Sequence, residues 1–181
     1  MEDKLFSIKI DKDISLALVQ ESFAPIYFKL IKENATYLER WLPWVSSYKS
    51  EQDSTLFIRK SLHDYADGKS MVCAIWFNNE LVGNASFNSI NHSLKKVEIG
   101  YWVKESAQGS GIITRVCNKL IDIAFNELKM QKVQISVAVE NLASRAVCKR
   151  LGMKLEGIIS NAENLNGQIV DHAIYAQTSV T

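Results

Sequence analysis

The stretch EIGYWVKESAQGSGIITRVCNKLIDIAF, residues 98–125, decides the fold of this chain. It opens with a strand-like apolar run, continues through Gly109 and Gly111, and then shows apolar residues at helical spacing. We therefore predict a strand over 96–103, a turn, and a helix over about 110–128 that covers one face of a sheet. The unpaired N–H groups at the start of a helix attract anions, and glycine lets a phosphate approach the main chain closely. The glycine pair is thus either a phosphate cradle or only a tight strand-to-helix turn.

Further strands and helices surround this unit. Strand patterns cover 4–10, 14–20, 70–77, 80–90, 132–139 and a closing hairpin over 154–163 and 168–177. Helical spacing begins at residue 22 and recurs over 51–67 and 142–151. The order strand, helix, strand around the glycines suits a parallel pair, whereas the hairpins are antiparallel. The sequence predicts an α+β fold with a mixed sheet, organised as one domain over residues 1–181.

Composition narrows the function classes. The 21 basic and 20 acidic residues give a net charge of +1, whereas nucleic-acid-binding domains usually carry a basic excess. The longest apolar run, MVCAIWF at 71–77, is far too short for a membrane span. No export signal is visible at the start, so we expect a cytoplasmic protein. The three cysteines, Cys73, Cys117 and Cys148, lie on apolar segments, and we expect them to be buried reduced thiols.

Two phosphate-binding motifs can be tested directly on the sequence. A P-loop requires G-x-x-x-x-G-K-[ST], and the sequence contains no such run. A dinucleotide fingerprint requires glycine where Thr114 stands, within repeated strand-helix units, and the chain has one such unit among hairpins. A nucleotide-binding oxidoreductase is therefore disfavoured.

Several spaced motifs together carry a family resemblance. The segments EIGYWV, GSGIITRVCNKLIDIAF, VAVENLASRAVCKRLGMKLEG and DHAIYAQ, in this order, resemble the GNAT superfamily of acetyl-CoA-dependent N-acetyltransferases, and most closely its RimL-like group of ribosomal-protein N-terminal acetyltransferases. The resemblance covers most of the chain and is densest over about 95–176. It implies a central mixed sheet of about seven strands, mostly antiparallel with one parallel splayed pair, in a three-layer arrangement with about four flanking helices. It also implies acetyl-CoA as cosubstrate and no metal.

The resemblance assigns the cofactor site residue by residue. In the family, the main chain of a Q/R-x-x-G-x-G/A turn holds the CoA pyrophosphate, and the first position of this motif here is Ser106, which departs from the pattern. The matching pyrophosphate residues are Gln108, Gly109, Ser110, Gly111, Ile112, Ile113 and Thr114. The pantetheine arm is expected to pair with the main chain of Tyr101, Trp102 and Val103, although the two aromatic side chains are equally typical of core and rim positions. Gly100 is the expected position of a β-bulge, since glycine inside a strand often marks one.

Two residues are implied as catalytic. Glu98 matches the position of an acidic residue proposed as general base, acting directly or through water, and its alternative role is a solvated or structural strand carboxylate. Ser144 matches the serine of an N-x-x-S motif that begins at Asn141; it is suited to contact the CoA sulfur and return a proton. The resemblance assigns Asn141 and Ser144 to the cofactor site as well. Alternatively, Asn141 caps the following helix and Ser144 caps or stabilises its first turn, and for Asn141 both roles can hold.

The acceptor is less constrained. At pH 7 an α-amine with a pKa of about 7.8 is roughly one-eighth neutral, whereas a lysine is neutral in only about 0.04% of molecules. A single carboxylate base is therefore sufficient for a protein N-terminus of the ribosomal-protein type. Polyamines and aminoglycosides are alternative acceptors, and a non-catalytic acyl-CoA-sensing module is an alternative function. Tyr37, Trp41 and Trp44 are candidates for the acceptor wall, although aromatics at this spacing often fill a core.

Asp171 and His172 are adjacent on a strand and point to opposite faces, so they cannot form a dyad. A homodimer is a further partner prediction.

Overall fold

The computed structural model describes residues 7–179, which contain one eight-stranded mixed sheet. The strands are β1 (Ser7–Lys9), β2 (Ile14–Leu18), β3 (Met71–Phe77), β4 (Glu80–Asn91), β5 (Lys96–Val103), β6 (Lys132–Ala138), β7 (Lys154–Leu165) and β8 (Gln168–Thr178). Their order in the sheet is β1-β2-β3-β4-β5-β6-β8-β7. The β5–β6 pair is parallel and the other neighbours are antiparallel. The predicted mixed sheet with one parallel pair is confirmed.

Five α-helices flank the sheet within the described residues. They are α1 (Ala24–Glu33), α2 (Ala35–Leu38), α3 (Glu51–Ala66), α4 (Ile112–Asp122) and α5 (Leu142–Arg150). A π-helical turn, Ile123–Glu127, extends α4, and 3₁₀ turns occur at Glu21–Phe23, Pro43–Ser47 and Glu105–Ala107. The described chain thus has one strand and one short helix more than the family resemblance implies.

The sheet separates two apolar clusters, which makes three layers. On one face, α4 and α5 pack their buried residues, such as Leu120 and Cys148, against β5, β6 and β8. On the other face, α1 and α3 contribute Tyr27 and Ile58, and Trp102 packs against this second cluster. Helices α1, α3, α4 and α5 cover the sheet with their apolar residues, as their periodicity predicts. The three cysteines are buried and free, in agreement with their prediction.

The parallel strands β5 and β6 separate soon after they meet. Their pairing joins Lys96 to Lys132, Val97 to Val133 and Glu98 to Gln134. Beyond Glu98, β5 stays paired with β4 as far as Val103. Because β6 turns away there, the β5 backbone groups that face β6 are free to bind something else in the gap.

The predicted bulge at Gly100 is wrong, because the irregularity lies in the neighbouring strand. The register shifts between Phe87 and Ser89 of β4, so Asn88 is the extra residue, whereas Gly100 pairs regularly with Ser86. A Cβ at Gly100 would lie 2.3 Å from Asn88 Nδ2. Glycine is therefore needed at this position so that the Asn88 side chain can lie against the backbone of β5.

The ends of the chain limit two predictions. Of the predicted strand 4–10, residues 7–9 form β1, and residues 4–6 lie outside the described part of the chain. The single-domain prediction likewise includes residues 1–6 and 180–181, which are outside it. No helix within residues 7–179 is long and apolar enough to cross a membrane.

Candidate active site

A cavity of about 1450 Å³ passes through the gap between β5 and β6. Its wall is formed by both splayed strands, by the turn that leads into α4, by the start of α5, and by the aromatic segment between α1 and α3. The cavity therefore touches both faces of the sheet at the position where the parallel pairing ends.

The glycine turn forms one end of this cavity. Gly109 and Gly111 have φ values of +73° and +69°, which non-glycine residues rarely adopt. A Cβ placed on either residue would have no neighbour within 4 Å. The main chain there faces open space at the N-terminus of α4, whose dipole favours an anion. The turn fits a phosphate group by its conformation, its access and its charge.

Most of the predicted pyrophosphate residues lie on the cavity wall. They are Gln108, Gly109, Gly111, Ile112, Ile113 and Thr114. Ser110 instead turns its carbonyl oxygen towards Arg115 Nη2, which donates a hydrogen bond to it over 3.1 Å. This bond helps to hold the turn, so any role of Ser110 in binding is limited to its other atoms.

The splayed strands form the middle of the cavity. Tyr101, Trp102 and Val103 of β5 line it together with residues 135–138 of β6. An extended chain with alternating donors and acceptors can pair with a free strand edge in the manner of an added strand. The gap thus fits a linear amide chain such as a pantetheine arm.

Ser144 and Tyr101 meet at this gap from the α5 side. Asn141 is the N-cap of α5, and its Oδ1 accepts a hydrogen bond from the Ser144 amide over 3.1 Å. The Ser144 side chain is not used for capping, and its Oγ lies 2.7 Å from the Tyr101 hydroxyl oxygen. Burial raises the pKa of Tyr101 well above its usual range, so this hydroxyl stays protonated. The side chain of Asn141 therefore caps the helix, while the Ser144 hydroxyl is part of a partly buried polar pair beside the cavity.

Glu98 reaches the cavity from the opposite face of the sheet. Glu98, Gly100 and Trp102 alternate along β5 with Tyr101, so they share the face that packs against α1 and α3. Glu98 is half-buried on the cavity wall, at the last residue pair before the strands separate. It forms no ion pair within the described part of the chain, so its carboxylate is available to a ligand.

The predicted acceptor residues form an aromatic wall over this face. Tyr37, Trp41 and Trp44 all line the cavity. The Trp44 ring lies 6.4 Å from that of Trp102, and the Tyr37 hydroxyl accepts a hydrogen bond from Gln108 Nε2. Trp44 is 38% exposed, so it is not a core side chain. The structure thus brings the three aromatics to the same cavity as the glycine turn, with Tyr37 joined to the turn directly.

Comparison with known proteins decides the family. The profile of the acetyltransferase (GNAT) domain matches residues 16–154, which include β2 to the start of β7. The chain belongs to the GNAT acetyltransferase family. It is therefore an acetyl-CoA-dependent N-acetyltransferase, and the predicted activity and cosubstrate are confirmed.

Relatives of this acetyltransferase match most of its length. It is 33% identical over 171 residues to the ribosomal-protein-serine acetyltransferase of Escherichia coli (strain K12), covering 94% of this chain and 96% of the relative. A solved structure of RimL, a ribosomal L7/L12 α-N-protein acetyltransferase in complex with coenzyme A, superposes with a TM-score of 0.92 at 30% identity, covering 95% of this chain and 97% of that one. The microcin C7 self-immunity acetyltransferase MccE, in complex with acetyl-CoA and AMP, gives a TM-score of 0.91 at 32% identity over 95% and 96% of the two chains. The two solved structures share CoA or acetyl-CoA as ligand, whereas the other molecules named for these relatives differ. The comparison therefore supports the cosubstrate better than it supports any one acceptor.

The acetyltransferase cavity also contains residues that sequence reasoning missed. Arg150, at the end of α5, lines the cofactor end, and its Nε donates to Thr114 Oγ1 over 3.3 Å. The sequence gives little indication that Arg150 belongs to the site, because basic residues are common in the last turn of a helix. Glu163 and His172 line the acceptor half and contact each other at 3.1 Å. Asp171 instead accepts a hydrogen bond from the Asn161 amide, so the side chains of Asp171 and His172 have different partners.

Within residues 7–179, no group of three or more His, Cys, Asp or Glu side chains is placed to hold a metal ion.

Proposed function

We propose that this acetyltransferase transfers the acetyl group to a protein N-terminal α-amine, of the ribosomal-protein type. The observation that carries the proposal is the position of Glu98, whose carboxylate forms no ion pair with any of residues 7–179 and lies on the acceptor face where the strands separate. A single carboxylate suits an α-amine, which is already partly neutral at pH 7, better than it suits a lysine. The E. coli relative, named a ribosomal-protein-serine acetyltransferase, supports the same acceptor class.

The charges of the acceptor half agree with a cationic substrate. Asp53, Glu98 and Glu163 line this part of the cavity, and Arg40 and His172 are its basic residues. Asp53 is held ionised because its pKa is lowered by hydrogen bonds from the Lys49 and Ser50 amides. Ionised carboxylates attract an ammonium group and favour its entry before deprotonation.

Each end of the cavity has a proposed role in the reaction. Acetyl-CoA supplies the acetyl group as a thioester. The turn at Gly109 and Gly111 would hold the pyrophosphate of CoA. The free β5 backbone would orient the pantetheine arm, and one of its N–H groups would polarise the carbonyl oxygen. Glu98 would take the proton from the attacking amine, directly or through water.

The opposite face would supply the proton to the departing sulfur. Ser144 and Tyr101 reach the gap from the α5 side, whereas Glu98 lies on the other face of β5. A base and a proton donor on opposite faces suit a reaction in which the amine approaches one side and the thiolate leaves on the other. Because the Tyr101 hydroxyl stays protonated, it can hold the Ser144 oxygen while the Ser144 proton points into the gap.

A small-molecule amine is the second candidate acceptor. The exposed ring of Trp44 and the half-buried ring of Trp41 can stack on a planar group, and the complex of MccE contains AMP. Polyamines and aminoglycosides are also candidate acceptors, because they are cationic as well. A non-catalytic acyl-CoA-sensing module would bind acetyl-CoA without transfer.

The deciding experiment measures thiol release from acetyl-CoA with a panel of amines. The panel contains peptides with the N-terminal sequences of ribosomal proteins, polyamines, aminoglycosides and an aminoacyl nucleotide. Each peptide is supplied with only its α-amine free and, as a matched control, with only a lysine amine free. We expect release with α-amine peptides and little with the lysine versions. Faster transfer to a small amine would replace the proposal, and no transfer despite thermal stabilisation by CoA would leave the sensing module.

The proposal also includes the oligomeric state and the cellular location of the protein. A homodimer is expected, which light scattering coupled to size-exclusion chromatography tests. Cytoplasmic localisation is expected from the acceptor class, and fractionation of cells with an antibody to the protein tests it.

A further inference from the structure

The acceptor half of the cavity contains a histidine-carboxylate pair that the proposed reaction does not use. His172 Nε2 lies 3.1 Å from Glu163 Oε2, and both residues line the cavity. Their side chains are 18% and 33% exposed, so each keeps part of its surface open while the rest is packed. An ionised carboxylate only accepts hydrogen bonds, so Nε2 carries a proton and Nδ1 is the ring nitrogen left for another partner.

The pair depends on an irregularity in the closing hairpin. Five residues of β7, from Ile159 to Glu163, lie opposite three residues of β8, from His172 to Val170. The extra residues form a bulge, which the Asp171 carboxylate supports on the other face by accepting from the Asn161 amide over 2.9 Å. Bulges beside active sites commonly re-aim a side chain. Here the bulge brings the Glu163 carboxylate beside His172.

His172 lies on the same face of the sheet as Glu98. Glu98 pairs with Gln134, which alternates along β6 with Ser136 and Ala138, and Ala138 pairs with His172. Paired residues point to the same face, so all of these side chains face the aromatic wall. The tip of the hairpin is joined to the segment that carries the aromatic wall, because Asn166 Nδ2 donates a hydrogen bond to the Glu39 carbonyl over 3.0 Å.

The spacing between the two residues indicates what His172 contacts. Ala138 is four residues beyond Gln134, which is about 13 Å along the strand, and the two strand spacings from β5 to β8 add about 10 Å across the sheet. The separation is thus about 16 Å, and an extended peptide, which advances by about 3.3 Å per residue, reaches His172 from an amine beside Glu98 within about its first five residues. We propose that His172, oriented by Glu163, is a specificity residue that binds the acceptor chain beyond the reacting amine, with Nδ1 accepting a hydrogen bond from a peptide N–H. This inference rests on the proposed function.

The test compares short and long acceptors. For the variant His172→Ala, we expect KM for a hexapeptide to rise by roughly tenfold, the size of one lost hydrogen bond. KM for a dipeptide amide with the same first two residues should change less than about twofold on the same scale, because that acceptor is too short to reach His172. KM for acetyl-CoA and kcat should stay near wild type. His172→Gln, which retains a hydrogen-bond acceptor, should restore part of the hexapeptide affinity.

Matched variants separate contact from structure. Asp171→Asn changes the adjacent residue on the opposite face and keeps an oxygen for the Asn161 amide, so both KM values should stay unchanged. Glu163→Gln should weaken hexapeptide binding in the same direction as His172→Ala. Equal effects on the two peptides, or an equal rise in KM for acetyl-CoA, would overturn the inference.

Failure of the proposed function is distinguishable from failure of this inference. If the wild type transfers acetyl groups to polyamines but not to peptides, the α-amine proposal fails. The same variants are then compared on putrescine and spermine, and a loss confined to the longer amine supports the role of His172, whereas equal changes refute it.

Discussion

The Tyr101 hydroxyl oxygen lies 2.7 Å from Ser144 Oγ, so a strand residue and a helix residue form one polar pair beside the proposed cofactor gap. If Ser144 returns the proton to sulfur, Ser144→Ala should lower kcat by about tenfold to hundredfold, less than a strong general acid contributes, because a hydroxyl is a weak acid. Tyr101→Phe should lower kcat by a smaller factor, since Ser144 keeps its proton. Steady-state kinetics with saturating acetyl-CoA measures both, and Ser93→Ala in an exposed turn is the control. Wild-type kcat in Ser144→Ala would exclude the role.

The glycine turn offers a test with an internal control. Gly109, Gly111 and Gly152 all have φ near +70° and open space at the Cβ position, but only Gly109 and Gly111 line the cavity. Alanine at any of them should cost about 1 kcal/mol in the free energy of unfolding, because alanine is strained at positive φ. Only Gly109→Ala and Gly111→Ala should also weaken acetyl-CoA binding, by roughly tenfold, because their Cβ enters the space of the phosphate. Calorimetric titration with CoA measures this. Equal CoA affinity in all three variants would mean that the pyrophosphate does not bind at this turn.

The sequence predicted the parts of the site that depend on local pattern. The turn at Gly109 and Gly111 and the cap at Asn141 are set by residues close together in the chain, so local pattern indicates both, and the family resemblance assigns the cofactor role of the turn. The Tyr101 side chain and the bulge at Asn88 depend on which strand or helix lies opposite. The requirement for glycine at position 100 comes from Asn88, twelve residues earlier on the neighbouring strand, and a sequence pattern does not reveal such a contact.

The histidine pair shows the same limit in a stronger form. Alternation along β8 correctly separates Asp171 from His172, because that rule needs only one strand. The contact between His172 and Glu163 requires the register of β7 against β8, including its bulge. Register is a property of two strands, so the acceptor half was less predictable than the cofactor half.

The role of Glu98 predicts a specific pH dependence. Glu98→Gln removes the proposed base, and we expect kcat/KM for an α-amine peptide to fall by about a hundredfold near neutral pH. The loss should shrink as pH rises towards 8 or 9, because a larger share of the α-amine is then neutral without help. The pH profile of kcat/KM measures this, with Glu127→Gln on the exposed end of the α4 extension as control. A loss that is the same at every pH would indicate a positioning role for Glu98.

The buried thiols predict a loss of stability at alkaline pH. Burial raises the pKa of Cys73 from its ordinary value of 9.0 to about 12, and that of Cys148 to about 11. Because the folded-state pKa lies above the unfolded one, the stabilising contribution of each thiol is complete below about pH 9 and declines as pH rises towards the folded value. The free energy of unfolding should therefore fall above pH 9, by up to about 1.4 kcal/mol per pH unit for Cys73.

Urea unfolding at several pH values between 8 and 11 tests this expectation, because the slope against pH separates ionisation from packing. Cys73→Ala removes one thiol and should flatten the slope, although the variant is less stable at every pH because of the cavity it leaves. The native thiols should also react slowly with a thiol reagent at pH 8, which keeps the background low in the acetyl-CoA assay. A slope that is unchanged in Cys73→Ala would mean that other groups, such as the buried hydroxyl of Tyr27, whose pKa burial also raises, account for the alkaline destabilisation.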